Sequence, residues 1–168
     1  YSAAVSACEK GEQWAHAVHL FREMAGSCVQ RNTITYNATV SACEKGEQWV
    51  HALRFFREMA DSHVESDTIM YSAAVRACEQ AQQWEQALQL FREMSDILVE
   101  RSSITFSAAV SACEKGQQWV QALQLFREMA DSRVERNSIS YNAAVSACDK
   151  GAACVHLVLL LGSLGTDA

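Results

Sequence analysis

A period of 35 residues constrains this chain more than any other feature of its sequence. Tryptophan, methionine and cysteine each recur at this step without insertion, at Trp14, Trp49, Trp84 and Trp119, at Met24, Met59, Met94 and Met129, and at Cys8, Cys43, Cys78, Cys113 and Cys148. A fixed step of this size is typical of solenoids, in which each unit stacks on its neighbours. We therefore divide the chain into four repeats, 1–35, 36–70, 71–105 and 106–140, and a partial fifth repeat with a divergent hydrophobic end, 141–168.

Each repeat has the pattern of two amphipathic helices. Tyr36, Val40 and Cys43 fall on one face of a first helix. Asn32 ahead of this helix is a suitable N-cap, and Gly46 stands where a left-handed C-cap residue belongs. The helix that follows carries an apolar stripe made of Trp49, Ala52, Leu53, Phe56 and Met59. Because one helix pair cannot bury both stripes alone, the pattern predicts an all-α solenoid of stacked helix-turn-helix repeats.

The formal net charge of −6 does not favour a sequence-blind nucleic-acid binder, which is usually basic. The lysines, however, all share one repeat position, and only the third repeat has glutamine there. Two interpretations stay open: a line of positive charge that contacts a phosphate backbone, or cations that complement the C-termini of the first helices. The lysines are Lys10, Lys45, Lys115 and Lys150, and the glutamine is Gln80.

The cysteines do not form a disulfide or metal pattern. Five of the seven share one helical position, and equivalent atoms on stacked helices lie roughly 8–10 Å apart, too far for a bridge. No Cys-x-x-Cys sequence and no Cys/His pair with zinc-site spacing occurs. We therefore predict buried, reduced thiols, no metal and no cofactor. No nucleophile–base pattern recurs either, so these repeats are not expected to form an enzyme by themselves.

The pattern changes after Gly151, where Cys154 replaces the expected tryptophan. The apolar run at 155–164 is too short to span a bilayer, so no membrane is expected as a partner. Residues 152–168 are either a capping helix or an artefact of the gene model.

The Thr-Tyr-Asn, Cys-Glu-Lys-Gly and Phe-Arg-Glu-Met segments, in this order and at this step, resemble the pentatricopeptide repeat over residues 1 to about 151. The uniform step resembles the family's pure 35-residue type. The resemblance implies a right-handed α-solenoid, and a fragment of a longer protein that acts in a chloroplast or mitochondrion. It also implies single-stranded RNA as the partner, bound at one base per repeat.

The resemblance assigns three sets of RNA-contacting residues. One base-selecting residue follows the first-helix Tyr or Phe: Ser2, Asn37, Ser72, Ser107 and Asn142. The other is the residue that the family counts as the last of its unit, just ahead of the next first helix: Asn32, Asp67, Ser102 and Asn137. The apolar residues that sandwich the bases are Ile34, Ile69, Ile104 and Ile139. The lysine position corresponds to a backbone-contacting one. The family's code then predicts the partial site A-U-N-A in RNA and not in DNA, with the base of the third repeat left open.

Two departures bear on this interpretation. Arg31, Ser66, Arg101 and Arg136 stand where the family commonly has proline, which predicts a less rigid turn. The third repeat lacks both the lysine and the glycine, so we expect it to bind weakest. Two other functions remain open: a protein-binding scaffold, and the RNA-guide part of a larger nuclease or editing enzyme.

Overall fold

A computed structural model describes residues 1–27, 31–62, 64 and 66–151 of the chain. The alternatives for residues 152–168 concern a segment outside these residues. The described part contains only helices, with no strand, and none of its helices is long and apolar enough to cross a membrane. The helices are α1 (Ser2–Lys10), α2 (Trp14–Gly26), α3 (Thr33–Lys45), α4 (Trp49–Asp61), α5 (Thr68–Gln80), α6 (Trp84–Asp96), α7 (Ser103–Lys115), α8 (Trp119–Asp131) and α9 (Ser138–Lys150).

The odd-numbered helices are the first helices of the units and the even-numbered helices are the second ones. Each first helix packs closely against the first helices of its neighbours. Successive second helices are further apart and meet only through long side chains, as in Phe21–Phe55, whose ring centroids lie 5.1 Å apart. Every second helix instead lies between its own first helix and the next one. The first helices therefore form one continuous layer, which we call the inner layer, and grooves separate the second helices on the opposite side, which we call the outer side.

The core confirms both predicted apolar stripes. Tyr36, Val40 and Cys43 are buried on α3, and the stripe of α4 is buried except for the partly exposed Trp49. At each boundary between units, a phenylalanine of the second helix meets the aromatic residue of the next first helix edge to face. The ring centroids lie 4.8–5.0 Å apart in Phe21–Tyr36, Phe56–Tyr71, Phe91–Phe106 and Phe126–Tyr141.

The buried thiols agree with the predicted core role of the repeated cysteine. Cys43, Cys78, Cys113 and Cys148 are buried, and Cys8 at the open end of the stack is partly exposed. Burial raises the pKa of Cys43 and Cys113 to about 12 and that of Cys78 to about 11. Since the thiolate is the reactive form, these three side chains are inert packing residues.

The glycine that follows the first helix in most units is needed for a different reason from the predicted one. Gly46 has a φ of −84°, so it is not a left-handed residue, and the positive φ of 56° belongs to Glu47 after it. Glycine is needed here because the indole of Trp14 lies against it: an added Cβ would come within 2.4 Å of the indole Cδ1. Gly116 and Gly151 meet Trp84 and Trp119 in the same way.

We expect Gly46→Ala to destabilise the fold by about 1–3 kcal/mol, the usual cost of overpacking a tight contact. Gly11→Ala is the matched control, because Gly11 has the same repeat position and a similar φ of −89° but no tryptophan against it. Urea unfolding followed by circular dichroism measures both. Equal stability of the two variants would contradict the role assigned to Trp14. The natural Ala81 at this position indicates that the indole can shift without loss of the fold.

At two of the boundaries between units, arginine holds the turn at the position where the resembled family commonly has proline. The guanidinium of Arg101 lies 4.8 Å from the ring centroid of Phe91 and 5.2 Å from that of Phe106, so it spans the boundary between two units. Its Nη1 also donates to Glu128 Oε1 at 2.6 Å. Arg31 repeats the arrangement with Phe21, Tyr36 and Glu58. The turn is therefore fixed by side-chain contacts rather than by a pyrrolidine ring.

Candidate nucleic-acid interface

The residue directly before each of α3, α5, α7 and α9 has a structural position that accounts for its residue type. Its side chain accepts a hydrogen bond of 2.9–3.3 Å from the third backbone N–H of the next first helix. It is therefore the N-cap of that helix, as predicted for Asn32. The four N-caps are Asn32, Asp67, Ser102 and Asn137.

In two units the N-cap also bonds to the other predicted base-selecting residue. Asn37 Nδ2 donates to Asp67 Oδ2 at 2.8 Å. The hydroxyl of Ser107 is shared between the Ser103 carbonyl at 2.7 Å and Asn137 Oδ1 at 3.1 Å. The members of each pair are 30 residues apart in the chain. The fold therefore brings both predicted selectors of a unit together at the inner layer.

The two pairs differ in what they leave unpaired. Asn37 Oδ1 is buried and has no hydrogen-bond partner among the described residues, and the partner of its amide is the carboxylate of Asp67. This pair is rich in acceptors. In the other pair, the carbonyl oxygen of Asn137 accepts from both Ser107 and the backbone of Ser140, which leaves its NH₂ group as the donor.

The third unit has no such pair. Ser72 Oγ donates to the Thr68 carbonyl at 2.6 Å and contacts Thr105 Oγ1 at 2.9 Å. Ser102 Oγ lies 2.9 Å from the same Thr105 hydroxyl. Both predicted selectors are thus joined through a third side chain and not to each other.

The outermost predicted selectors stand apart from these pairs. Asn32 is exposed and forms a capping box with Thr35, while Ser2 is partly exposed in α1. Asn142 is exposed on α9.

The predicted sandwiching isoleucines lie on the surface. Each is the second residue of its first helix, one turn before the predicted selector. Their exposed fractions are 62% for Ile34, 63% for Ile69, 54% for Ile104 and 60% for Ile139. Leaving large apolar side chains in water brings the fold no burial energy, and a regular row of them at one phase is a candidate contact surface.

Three of the four predicted lysines are paired with glutamates that sequence analysis missed. Lys45 Nζ donates to Glu9 at 3.0 Å, Lys115 to Glu79 at 2.7 Å and Lys150 to Glu114 at 2.5 Å. Each glutamate belongs to the preceding unit and also accepts from a serine hydroxyl, from Ser41, Ser111 and Ser146 respectively. The positive charge of these three lysines is therefore compensated by a neighbouring carboxylate. The pairing could have been predicted from the Cys-Glu-Lys segment, because its glutamate recurs at the 35-residue period as its lysine does.

Glu44 in this row differs from its equivalents. Burial raises the pKa of Glu44, although Arg76 and Lys45 act in the opposite direction. Burial would raise the pKa of Glu114 too, but hydrogen bonds from Lys150 and Ser146 outweigh it and the pKa is lowered. The charge of Glu114 therefore adds stability that is lost as the pH falls through its pKa, whereas the charge of Glu44 costs stability at neutral pH.

Comparison with known proteins identifies the family. The PPR repeat model matches residues 1–29, 34–64 and 104–134, and the pentatricopeptide repeat domain model matches residues 54–116. The chain belongs to the pentatricopeptide repeat family. A search of curated proteins found no matching relative.

Solved structures share the fold at low sequence identity. The PPR domain of Arabidopsis thaliana protein-only RNase P 1, in complex with tRNA, superposes with a TM-score of 0.78 at 16% identity, over 94% of this chain and 86% of that chain. The pentatricopeptide repeat protein PPR10 of maize, in complex with an 18-nt psaJ RNA element, gives 0.76 at 21% identity, over 93% and 23%. Nuclear proteinaceous RNase P 2 of A. thaliana gives 0.79 at 11% identity, over 88% and 33%. The present chain thus spans only a part of the last two proteins.

No group of three or more His, Cys, Asp or Glu side chains within the described ranges could hold a metal ion.

Proposed function

We propose that this chain binds single-stranded RNA along its inner layer, one nucleotide per unit, with sequence selection by the paired N-cap and first-helix residues. The observation that carries the proposal is the hydrogen-bonded selector pair, seen as Asn37–Asp67 and again as Ser107–Asn137. A polar pair beside an exposed isoleucine offers a base both an edge to bond and a surface to pack on.

The chemistry of each pair supports a particular base. Acceptors predominate at Asn37 and Asp67, and uracil presents an N3–H donor on its Watson–Crick edge where cytosine presents an acceptor. At Ser107 and Asn137 the free amide is a donor, which suits the N1 acceptor of adenine, and the small serine leaves room for a purine. With adenine at Ser2 and Asn32, from the family's code, the proposed partial site stays A-U-N-A.

The proposed cellular role is to stabilise, process or help translate an organellar transcript. Family membership alone supports this part of the proposal.

The test is fluorescence anisotropy of residues 1–168 with a labelled RNA that contains A-U-A-A, at one low salt concentration. We expect modest affinity, because four bases supply few contacts against an association cost of several kcal/mol. A scrambled RNA, the matching DNA and an RNA with cytosine for uracil should each bind at least several-fold more weakly. Equal binding to all four ligands would overturn the proposal and favour a protein-binding scaffold.

A further inference from the structure

One of the ion pairs between units uses a cation from a different sequence position than the others do, so the sequence position changes and the positive charge is kept. Glu44, in the second unit, is bound by Arg76 Nη2 at 3.1 Å and by Gln80 Nε2 at 3.3 Å. The equivalent glutamates are bound by a serine hydroxyl at the arginine position and by a lysine at the glutamine position. The third unit thus exchanges the two positions, yet still presents one neutral donor and one cation to the glutamate.

The buried carboxylate of Glu44 explains why a cation is kept at this boundary, since an unpaired buried charge is costly. It does not explain why the cation of every boundary keeps between 36% and 51% of its side chain exposed to solvent. What all four boundaries keep is a cation at one place in space, although one of the cations stands a helical turn earlier in the sequence.

The cations face outward and the glutamates lie beneath them. The exposed side-chain fraction is 37% for Lys45, 48% for Arg76, 36% for Lys115 and 51% for Lys150. The carboxylates that bind them are only 5–24% exposed. Each cation therefore keeps donors available for a ligand on the solvent side.

Arg76 also lies one helical turn after Ser72, on the same face of α5. It is thus beside the nucleotide that the third unit would hold. Because Ser72 and Ser102 are tied to Thr105 and not to each other, this unit offers little to select a base.

We infer that Arg76 is the phosphate-binding residue of the third unit, in place of the lysine that is predicted to contact phosphate in the other units. This inference rests on the proposed function. A guanidinium binds a phosphate with two parallel N–H donors, so Arg76 gives the third unit backbone affinity without base selection. The expectation that this unit binds weakest changes accordingly: it is weak in selectivity and not in affinity.

The experiment measures how RNA affinity depends on salt in three variants. Each lost phosphate contact lowers the slope of log K against log salt by about 0.7 for single strands. We expect Arg76→Ser to lower the slope by about this amount and to leave the base preferences unchanged. The double variant Arg76→Ser/Gln80→Lys restores the register of the other units and should recover the slope. Arg92→Ser, which removes an exposed arginine of the same unit from the outer helix, is the matched control and should leave the slope unchanged.

Thermal unfolding of each variant separates binding from folding. The double variant retains a cation for Glu44, so it tests the inference even where Arg76→Ser unfolds. An unchanged slope in Arg76→Ser, or no recovery in the double variant, would overturn the assignment of Arg76. Failure of the unmodified chain to bind RNA would instead overturn the proposed function itself.

Discussion

Replacing Ile34 and Ile69 together by alanine should weaken binding of the matched RNA by about ten- to a hundredfold, within the roughly 1–3 kcal/mol that stacking on one base contributes. These isoleucines flank the place where the uracil of the proposed site would lie. Both are more than half exposed, so the folded state loses little packing when they are shortened. The expected result is a large loss of affinity at nearly unchanged stability.

The matched control for this experiment is Val50→Ala with Val120→Ala. Both valines are exposed aliphatic residues, 57% and 42%, on second helices. Anisotropy measures affinity and circular dichroism measures the melting temperature of both double variants. An equal loss of affinity in the control would show that apolar surface acts without regard to its place on the fold.

Asp67→Asn should change the base selected by the second unit from uracil toward cytosine. The substitution replaces an acceptor-only carboxylate by an amide that can donate, and cytosine N3 is an acceptor where uracil N3–H is a donor. The backbone N–H of Met70 keeps a side-chain acceptor, since asparagine is as good an N-cap as aspartate, so stability should hold. We expect the ratio of uracil to cytosine affinity to fall by about tenfold, the effect of about 1.4 kcal/mol.

Four RNAs that differ only at the second base of the site measure this change. Asp61→Asn is the control, because it removes the same charge from an exposed position at the end of α4. The control separates a general gain in affinity for polyanions from a change in selection. An unaltered uracil preference in Asp67→Asn would mean that this residue does not face the base.

The periodic features of the fold followed from the sequence because they are local or nearly so. The apolar stripes and the N-cap at Asn32 depend on spacings within one helix, and the structure confirms them. The position of Gly46 was also clear from the sequence, but its reason was not. The contact that requires glycine comes from Trp14 in the preceding unit, and no pattern within one unit shows how two units approach.

The ion pairs along the inner layer illustrate the same limit. Lys45 and Glu9 are 36 residues apart, one residue more than the period. Their contact becomes evident only when neighbouring first helices are placed side by side. The exchange in the third unit looked like a lost lysine, because Arg76 restores the charge at a different position. Sequence comparison between units finds only equivalent positions. A long side chain such as that of Arg76 can place its charge at the same point in space from a position one helical turn away.

The N-caps set a limit on how such a protein can diversify. Asn32, Asp67, Ser102 and Asn137 each begin a helix, and each is also a predicted half of a base-selecting pair. A substitution at these positions that changes the selected base must therefore introduce a residue that is also a good N-cap, chiefly Asn, Asp, Ser or Thr. The set of residue types that can take part in base recognition at these positions would then be limited by the stability of the helix N-terminus, before any nucleic acid is bound.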